Sequence, residues 1–266
     1  LDMSEEDKNR ALQDGVAGLT GDLVAHLGQY VVPVEWSFPE NGAIDFLTPG
    51  RQGNGVYAKA LSALDWDTFY DDLGGAGFFD ALRAQLKNSY DYVLIDSRTG
   101  LSDIADICTL HLPDMVVDCF TLSTQGMEGA ATIAGQIQGY SERHITILPV
   151  LMRIDRTQRA DVLAGLQLAQ SLFHGLTAGM SPAEREQYWA QAQVPYVSAY
   201  SYQEMLAVFG DRPGDQDSLL PAYERLVARI TGNEVTALPP LDEWKRLRTR
   251  LLFARTVTPD LPEVSR

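Results

Sequence analysis

The chain has 266 residues, of which 45% are hydrophobic and 9% aromatic, and it carries a formal net charge of −15 at pH 7. This length and composition exclude a chain that is disordered throughout and predict one large globular domain, with at most a small appendage. The absence of any apolar run of about 18 residues excludes a membrane span of the usual kind, and the negative charge disfavours nonspecific binding to a nucleic-acid backbone.

Strand-like and helix-like segments alternate along the chain. A helix is expected over residues 12–28, followed by short strands over 29–34 and 43–50. A helix over 78–87 leads into residues 92–95, a continuous apolar run typical of a strand buried on both faces. The later segments are strands over 115–122, 144–151 and 194–198, with helical regions over 127–140, 159–192 and 219–231. Strands joined by helices of this length run parallel, so the sequence predicts an α/β fold, a mostly parallel sheet with helices on both faces.

We expect the chain to divide after residue 232 into a folded domain and a C-terminal segment. Residues 1–232 are expected to form the folded domain, and residues 233–266 a proline-containing linker with a basic C-terminal helix or tail. Residues 241–266 hold six basic and four acidic side chains, a charge of +2, which leaves −17 on the rest of the chain. We interpret this basic segment as a solvated helix face, and a DNA-binding patch is the alternative.

Cysteine and histidine usage gives no sign of a disulfide framework or a zinc site. The two cysteines, Cys108 and Cys119, lack the spacing of metal ligands, and the four histidines are scattered. We therefore expect a reduced, cytoplasmic protein.

Asp96 directly follows the apolar run 92–95, at the carboxyl end of a predicted strand. In open α/β sheets, ligands bind at this edge. A carboxylate placed there can hold a hydrated magnesium ion beside substrate phosphates, and Gly100 would let the backbone approach a terminal phosphate. An aspartate at such a position also commonly caps a turn with its side-chain oxygen. The spacing alone does not decide between the two roles.

Several stretches in a fixed order carry a resemblance to a known family. They are YDYVLIDSRTGLSD over 90–103, LPD over 112–114, TLSTQGMEGA over 121–130, PVLMRID over 149–155, VPY over 194–196 and LAVFGDRPG over 206–214. Together they resemble the MinD/ParA-like family of P-loop ATPases, and more narrowly its actinobacterial branch, whose phosphate loop reads KGGxGRT. The resemblance covers roughly residues 30–230.

The resemblance implies a nucleotide-dependent switch: a dimer that binds ATP and magnesium between two protomers, hydrolyses the ATP and so regulates a protein partner. Asp96 then corresponds to the Walker B aspartate, which orients the magnesium shell through water, and Gly100 to the switch glycine facing the γ-phosphate. Ser97, Arg98 and Asp103 belong either to the segment that senses the nucleotide or to a surface loop.

The resemblance also implies a place for the nucleotide base. Met152, Arg153 and Asp155 follow the strand whose end borders the base, and Pro195 and Tyr196 lie on its other side. An arginine over the face of a base makes a stacking contact. The alternative for Arg153 is an exposed arginine at the end of a strand.

The chain departs from the family in its phosphate loop. Neither Gly-Lys-Ser nor Gly-Lys-Thr nor the branch's Gly-Arg-Thr occurs in it, and the glycine-rich stretch 72–79 lacks a lysine and follows acidic residues. The chain opens at Leu1, at a point that matches the interior of the family domain. We expect either that the phosphate-loop segment is missing from this chain or that the natural protein has lost it. We favour the first because Asp96 and Gly100 persist.

Two expectations follow from the missing loop. The chain alone should be a poor ATPase, because the amine that neutralises the phosphates is absent. The alternative function is an inactive NTPase-fold module that binds a protein partner. An aromatic group is interpreted as a core cluster rather than a base-stacking platform, because acids surround it; its members are Trp66, Phe69, Tyr70, Phe78 and Phe79.

Overall fold

The computed structural model describes residues 18, 21, 26–48, 59, 66–71, 74–97, 107–140, 143–155, 157–202, 205–216, 218–239 and 241–253. Most of the helix predicted over 12–28 lies outside the described residues, as do Arg98, Gly100 and Asp103. The chain divides into two compact units. The first comprises Leu1–Asp114 with Tyr140–Ile145, and the second comprises Met115–Gly139 with Thr146–Arg266.

Within its described residues, the first unit contains a short hairpin and the two helices whose bounds the structure gives. Strands β1 (Val31–Pro33) and β2 (Asp45–Leu47) pair antiparallel, with Val31 opposite Leu47. Helices α1 and α2 span Trp66–Asp71 and Gly75–Ser89, and a π-helical turn spans Ile107–His111. The two predicted short strands and the helix predicted over 78–87 are thereby confirmed.

Ring packing fixes the corner between α1 and α2. Phe69 makes edge-to-face contacts with the rings of Trp66, Tyr70, Phe78 and Phe79 at centroid distances of 5.7 to 6.2 Å, which confirms the predicted aromatic cluster. Gly75 lies directly against this cluster, since a Cβ on it would overlap the Phe69 ring and lie 2.9 Å from the Phe69 carbonyl oxygen. Gly75, in the glycine-rich stretch 72–79, therefore has a packing role.

Asp114 links α2 to the chain segment 112–114. Its carboxylate forms ion pairs with Arg83 and Lys87, and Arg83 Nε also donates a hydrogen bond to the Leu112 carbonyl at 3.0 Å. Burial acts to raise the pKa of Asp114, but the hydrogen bond from Lys87 and the charge of Arg83 outweigh it and lower that pKa. The Leu-Pro-Asp motif thus has a structural role in this unit.

The predicted buried strand before Asp96 is wrong. Residues 93–97 belong to neither sheet described here and are exposed, with Leu94 87% accessible and Asp96 itself at the surface. The physical reason is that an apolar run is buried as a strand only where neighbouring strands supply a hydrogen-bonding ladder and covering faces. The described part of the first unit offers only the short β1–β2 pair.

The second unit is an α/β structure built on a three-stranded parallel sheet in the order β3-β4-β5. Its strands are β3 (Met115–Phe120), β4 (Thr146–Ile154) and β5 (Gln193–Pro195). Its helices are α3 (Thr124–Tyr140), α4 (Arg159–Leu172), α5 (Pro182–Gln191), α6 (Ala199–Tyr202), α7 (Ala207–Gly210), α8 (Leu220–Ile230) and α9 (Glu243–Phe253). The α/β fold, these three strands and the helices near 127–140 and 219–231 are confirmed. The basic segment after 241 begins with a helix, as predicted.

The helical region predicted over 159–192 is two helices. A 3-10 turn at His174–Thr177 separates α4 from α5. Ser181 starts α5 through a reciprocal capping box, in which its hydroxyl accepts the Glu184 N–H and the Glu184 carboxylate accepts the Ser181 N–H. With Pro182 at the first helical position, this capping chemistry starts a new helix.

The core of the second unit lies around β4. The β4 side chains Val150 and Leu151 are almost wholly buried. Aromatic rings pack around the strand: Phe120 stacks on Phe173 at 4.9 Å between centroids, and Tyr188 and Trp189 of α5 are both 1% exposed. Burying large rings of this kind gives the main apolar stabilisation of a unit of this size.

Pro149 lies in the central strand at a place where its missing N–H leaves no gap. The N–H of Leu151 donates to the Ala192 carbonyl beside β5, so alternate residues of β4, including Pro149, direct their backbone groups to that side. Pro149 precedes Leu151, the residue at which β4 begins to pair with β5. Its carbonyl accepts a hydrogen bond from the Tyr188 hydroxyl at 2.7 Å. A side chain therefore completes the backbone bonding where β5 has not begun.

Asp118 is a carboxylate within the sheet. It lies in β3 opposite Pro149, and among the described residues its buried Oδ2 atom has no hydrogen-bond partner. Burial raises the pKa of Asp118 to about 7. Ionisation of this group is therefore opposed by the fold.

Asp211 joins the later helices. Its carboxylate accepts the Tyr200 hydroxyl at 2.6 Å and the N–H groups of Leu219 and Leu220, at the start of α8, at 2.9 and 3.0 Å. Its carbonyl accepts a hydrogen bond from Arg246 Nη1 of α9 at 3.2 Å. The chain segments around α6, α8 and α9 thus share one polar residue.

Candidate functional site

A bulge ends the central strand at its carboxyl edge. Leu151 pairs with Gln193 and Ile154 with Pro195, so three steps along β4 match two along β5. Arg153, inside this bulge, has φ 59°, and the Tyr196 N–H donates to the Ile154 carbonyl at 2.9 Å. A left-handed conformation costs a residue with a side chain about 1–2 kcal/mol, so the surrounding pairing holds Arg153 in place.

The bulge directs Arg153 onto Tyr196. The guanidinium carbon lies 5.2 Å from the centre of the Tyr196 ring, within the range of a cation–π contact. Ser201 donates a hydrogen bond to the Tyr196 hydroxyl at 3.1 Å and so orients the ring. Both side chains are exposed, with Tyr196 41% accessible. The pair presents two flat groups to solvent at the sheet edge.

Asp155 adds a negative charge beside this pair. Its Oδ1 atom accepts hydrogen bonds from the Thr157 hydroxyl at 2.7 Å and the Thr157 N–H at 2.9 Å. The first of these bonds, helped by the second, lowers the pKa of the fully exposed Asp155 carboxyl. The edge therefore carries a cation, an aromatic ring and an ionised carboxylate within a few residues of one another.

The structure brings together four of the residues that sequence reasoning selected for the base: Arg153, Asp155, Pro195 and Tyr196. Pro195 is buried in register with Ile154 and supports the loop. Met152 is half-buried and packs against the core cluster that contains Val150 and Val194. Thr157 and Ser201, which orient Asp155 and Tyr196, were not selected; the Asp-x-Thr spacing of an Asx turn is the signal that could have found Thr157.

The residues selected for phosphate and metal lie elsewhere in the chain. Asp96 belongs to the first unit and is exposed there, and Gly100 lies outside the described residues. Ser97, which was assigned to either the nucleotide-sensing segment or a surface loop, is also exposed. Within the described ranges, no group of three histidine, cysteine or carboxylate side chains is arranged to hold a metal ion. In the same part of the chain, no helix is both long enough and apolar enough to span a membrane.

The fold and this edge define the second unit as an α/β unit with a parallel sheet and a polar, aromatic cluster at the carboxyl end of its central strand. Comparison of the chain with protein-family models, with curated proteins and with solved structures finds no match.

Proposed function

We propose that this chain is a nucleotide-binding switch protein, with ATP and magnesium as ligands, and that Arg153, Asp155 and Tyr196 form its base site. The observation that carries the proposal is the non-glycine residue held at positive φ at the carboxyl end of β4. Strained backbone that the surrounding structure maintains is characteristic of ligand sites, and this edge of a parallel sheet is where ligands bind.

The chemistry of the three side chains fits a nucleotide base. A guanidinium and a phenol ring both stack on flat heteroaromatic groups. An ionised carboxylate accepts hydrogen bonds from the amino and ring N–H groups of a base. Because Arg153 and Tyr196 already contact each other, a base would exchange that contact for stacking on the same two faces.

The phosphate side does not fit in the same way. The sequence has no glycine-rich loop with lysine and hydroxyl to cradle phosphates, and the glycine at the start of α2 is accounted for by its packing on Phe69. Magnesium binding at Asp96 is a separate proposal, since Asp96 belongs to the first unit and the base site to the second. No hydrolytic step follows from these residues alone, and we expect base-dominated binding with little turnover.

The test is calorimetric titration of the chain with ATP plus magnesium, with adenosine, and with inorganic tripolyphosphate. We expect ATP and adenosine to bind with similar affinity and tripolyphosphate not to bind. Tyr196→Ala should weaken both by about tenfold, the usual loss when one base-stacking ring is removed, and Arg153→Ala should also weaken them. Tyr202→Ala is the matched control, because Tyr202 is a 73% exposed tyrosine of α6.

Two results would contradict the base site. One is the absence of saturable binding by either ATP or adenosine. The other is equal affinity in the Tyr196→Ala and Tyr202→Ala variants.

A second candidate, a nucleotide-free interaction module, is favoured by the surface of α9. Trp244, Leu251 and Leu252 are 70%, 66% and 77% exposed on this short helix, alongside basic residues, while the chain as a whole carries −15. Exposed apolar groups with a basic rim suit docking on an acidic protein surface. A second copy of this chain offers an acidic surface of this kind, and α9 would then form a homodimer contact.

Sedimentation velocity at rising protein concentration tests this second candidate. Self-association is expected, and Leu251→Glu should abolish it, whereas Leu163→Glu, at a 58% exposed leucine of α4, should leave it unchanged. A monomer at every concentration, or equal effects of the two substitutions, rejects the self-docking surface.

A further inference from the structure

A cleft of about 380 Å³ lies between α5 and α8, and it shares no residue with the base site. This volume accommodates a small molecule. The side chains of its wall that matter here are polar: Glu184, Gln187 and Gln191 from α5, Arg225 and Arg229 from α8, and Asn233 just beyond α8.

Arg229 is held rigidly in this wall. Its guanidinium carbon lies 4.7 Å from the centre of the Tyr188 ring, and Nη2 donates a hydrogen bond to Gln191 Oε1 at 3.2 Å. Tyr188 is itself fixed by its hydrogen bond to the Pro149 carbonyl. The cation is therefore positioned before any ligand arrives, which lowers the ordering cost of binding.

Arg225 lacks an acceptor for one of its donors. Its Nε atom is buried and, among the residues that the structure describes, has no hydrogen-bond partner. A buried donor without an acceptor is costly, more so on a charged group. Arg225 and Arg229 are four residues apart, which places them on the same face of α8.

The charge of the wall selects among ligands. The two arginines contribute +2, and Glu184, whose carboxylate accepts the Ser181 N–H, contributes −1. A net charge of +1 complements a monoanion better than a phosphate dianion. The amides of Gln187, Gln191 and Asn233 can both donate and accept hydrogen bonds, which suits a polar rather than a hydrocarbon remainder.

We propose that this cleft binds a small monocarboxylate with a polar tail, whose carboxylate accepts hydrogen bonds from Arg225 and Arg229. The guanidinium fork matches the geometry of a carboxylate, and both arginines line the cleft. A carboxylate that draws the Arg225 guanidinium towards the cleft also gives its buried Nε the acceptor that it lacks. The amide side chains of the wall contact the polar tail. The site is distinct from the base site and does not depend on nucleotide binding.

The experiment is a titration of the arginine-labelled chain, followed by the NMR resonance of each arginine Nε–H group. The probe is the half-amide of glutarate, a monocarboxylate with an amide tail. Neutral glutaramide and inorganic phosphate are the comparison ligands. Saturable shifts of the Arg225 resonance are expected with the half-amide at millimolar concentration, and not with glutaramide.

Variants complete the test. Arg225→Gln should weaken binding of the half-amide by about tenfold or more, as expected for loss of a charged hydrogen bond, and Arg225→Lys should weaken it less. Arg248→Gln removes the same charge from an exposed position on α9 and should leave binding unchanged.

Three outcomes overturn the proposal: no shift of the Arg225 resonance in the unaltered chain, shifts with glutaramide or phosphate as large as with the half-amide, or equal weakening by Arg248→Gln. The first two are measured on the unaltered chain, so they hold even where a variant fails to fold.

Discussion

The carboxyl group of Asp118 should control how the stability of the second unit varies with pH. An aspartate in an unfolded chain titrates near pH 3.9, whereas burial raises the pKa of Asp118 to about 7 in the folded protein. Between these values the folded state binds a proton that the unfolded state has lost. Its contribution to stability is therefore complete below about pH 4 and is lost as the pH rises through 7.

The size of the effect follows from the shift of about three pH units. At 1.36 kcal/mol per unit, the change is about 4 kcal/mol between pH 4 and pH 7. Asp118→Asn keeps the shape and stays neutral at every pH. The variant should match the wild type at the acidic end of this window and exceed it by up to about 4 kcal/mol at its basic end and above.

The assay is urea unfolding followed by tryptophan fluorescence, with the buried Trp189 as a reporter of the second unit, repeated across this pH range. The quantity of interest is the difference in free energy of unfolding between variant and wild type, because other titrating groups cancel from it. Glu186→Gln, at an exposed position of α5, is the charge-matched control and should show no such window. A difference between Asp118→Asn and wild type that stays constant from pH 4 to pH 8 would refute the reasoning.

Two further substitutions test the packing and bonding described above. Asp211→Ala removes the acceptor of three hydrogen bonds and should lower the free energy of unfolding by about 2–4 kcal/mol. Asp161→Ala, at an exposed site on α4, is the control and should change the free energy of unfolding by less than about 1 kcal/mol. Similar losses in the two variants would show that Asp211 does not join the helices. Gly75→Ala should destabilise the first unit by about 1–3 kcal/mol because the new Cβ meets the Phe69 ring. Gly77→Ala, with open space around it in the same helix, should stabilise it by up to about 1 kcal/mol, and calorimetric melts giving both changes the same sign would contradict the packing argument.

The parts of the fold that follow from local pattern were predictable. The apolar run at β4 and the small-residue periodicity of α3 predicted the right elements, and β4 is buried because β3 and β5 pair with it on either side. The run before Asp96 has an equally apolar pattern but is exposed, since its burial depends on neighbouring strands rather than on itself. The break between α4 and α5 was missed, although Ser181 with Glu184 three residues later is the sequence signal of a helix start.

The candidate sites were predictable to different degrees. The end of β4 was selected from the sequence, but the positive φ of Arg153 was not, because an arginine gives no sign of a left-handed backbone. The i, i+4 spacing of Arg225 and Arg229 is visible in the sequence. Their position opposite α5 is a tertiary feature, set by how two helices distant in the chain pack together, and no local pattern encodes it.

The attachment of α9 has a consequence for the order in which the protein opens. Its apolar residues are largely exposed, while Arg246, 6% exposed, bonds to the Asp211 carbonyl and pairs with Glu243 of its own helix. A helix that is held mainly by polar contacts exposes little additional apolar area when it detaches from the rest of the unit. Its backbone amides should therefore exchange with solvent through local opening, whereas those of β4 exchange only when the whole unit unfolds, and the last helix behaves as a separate cooperative element.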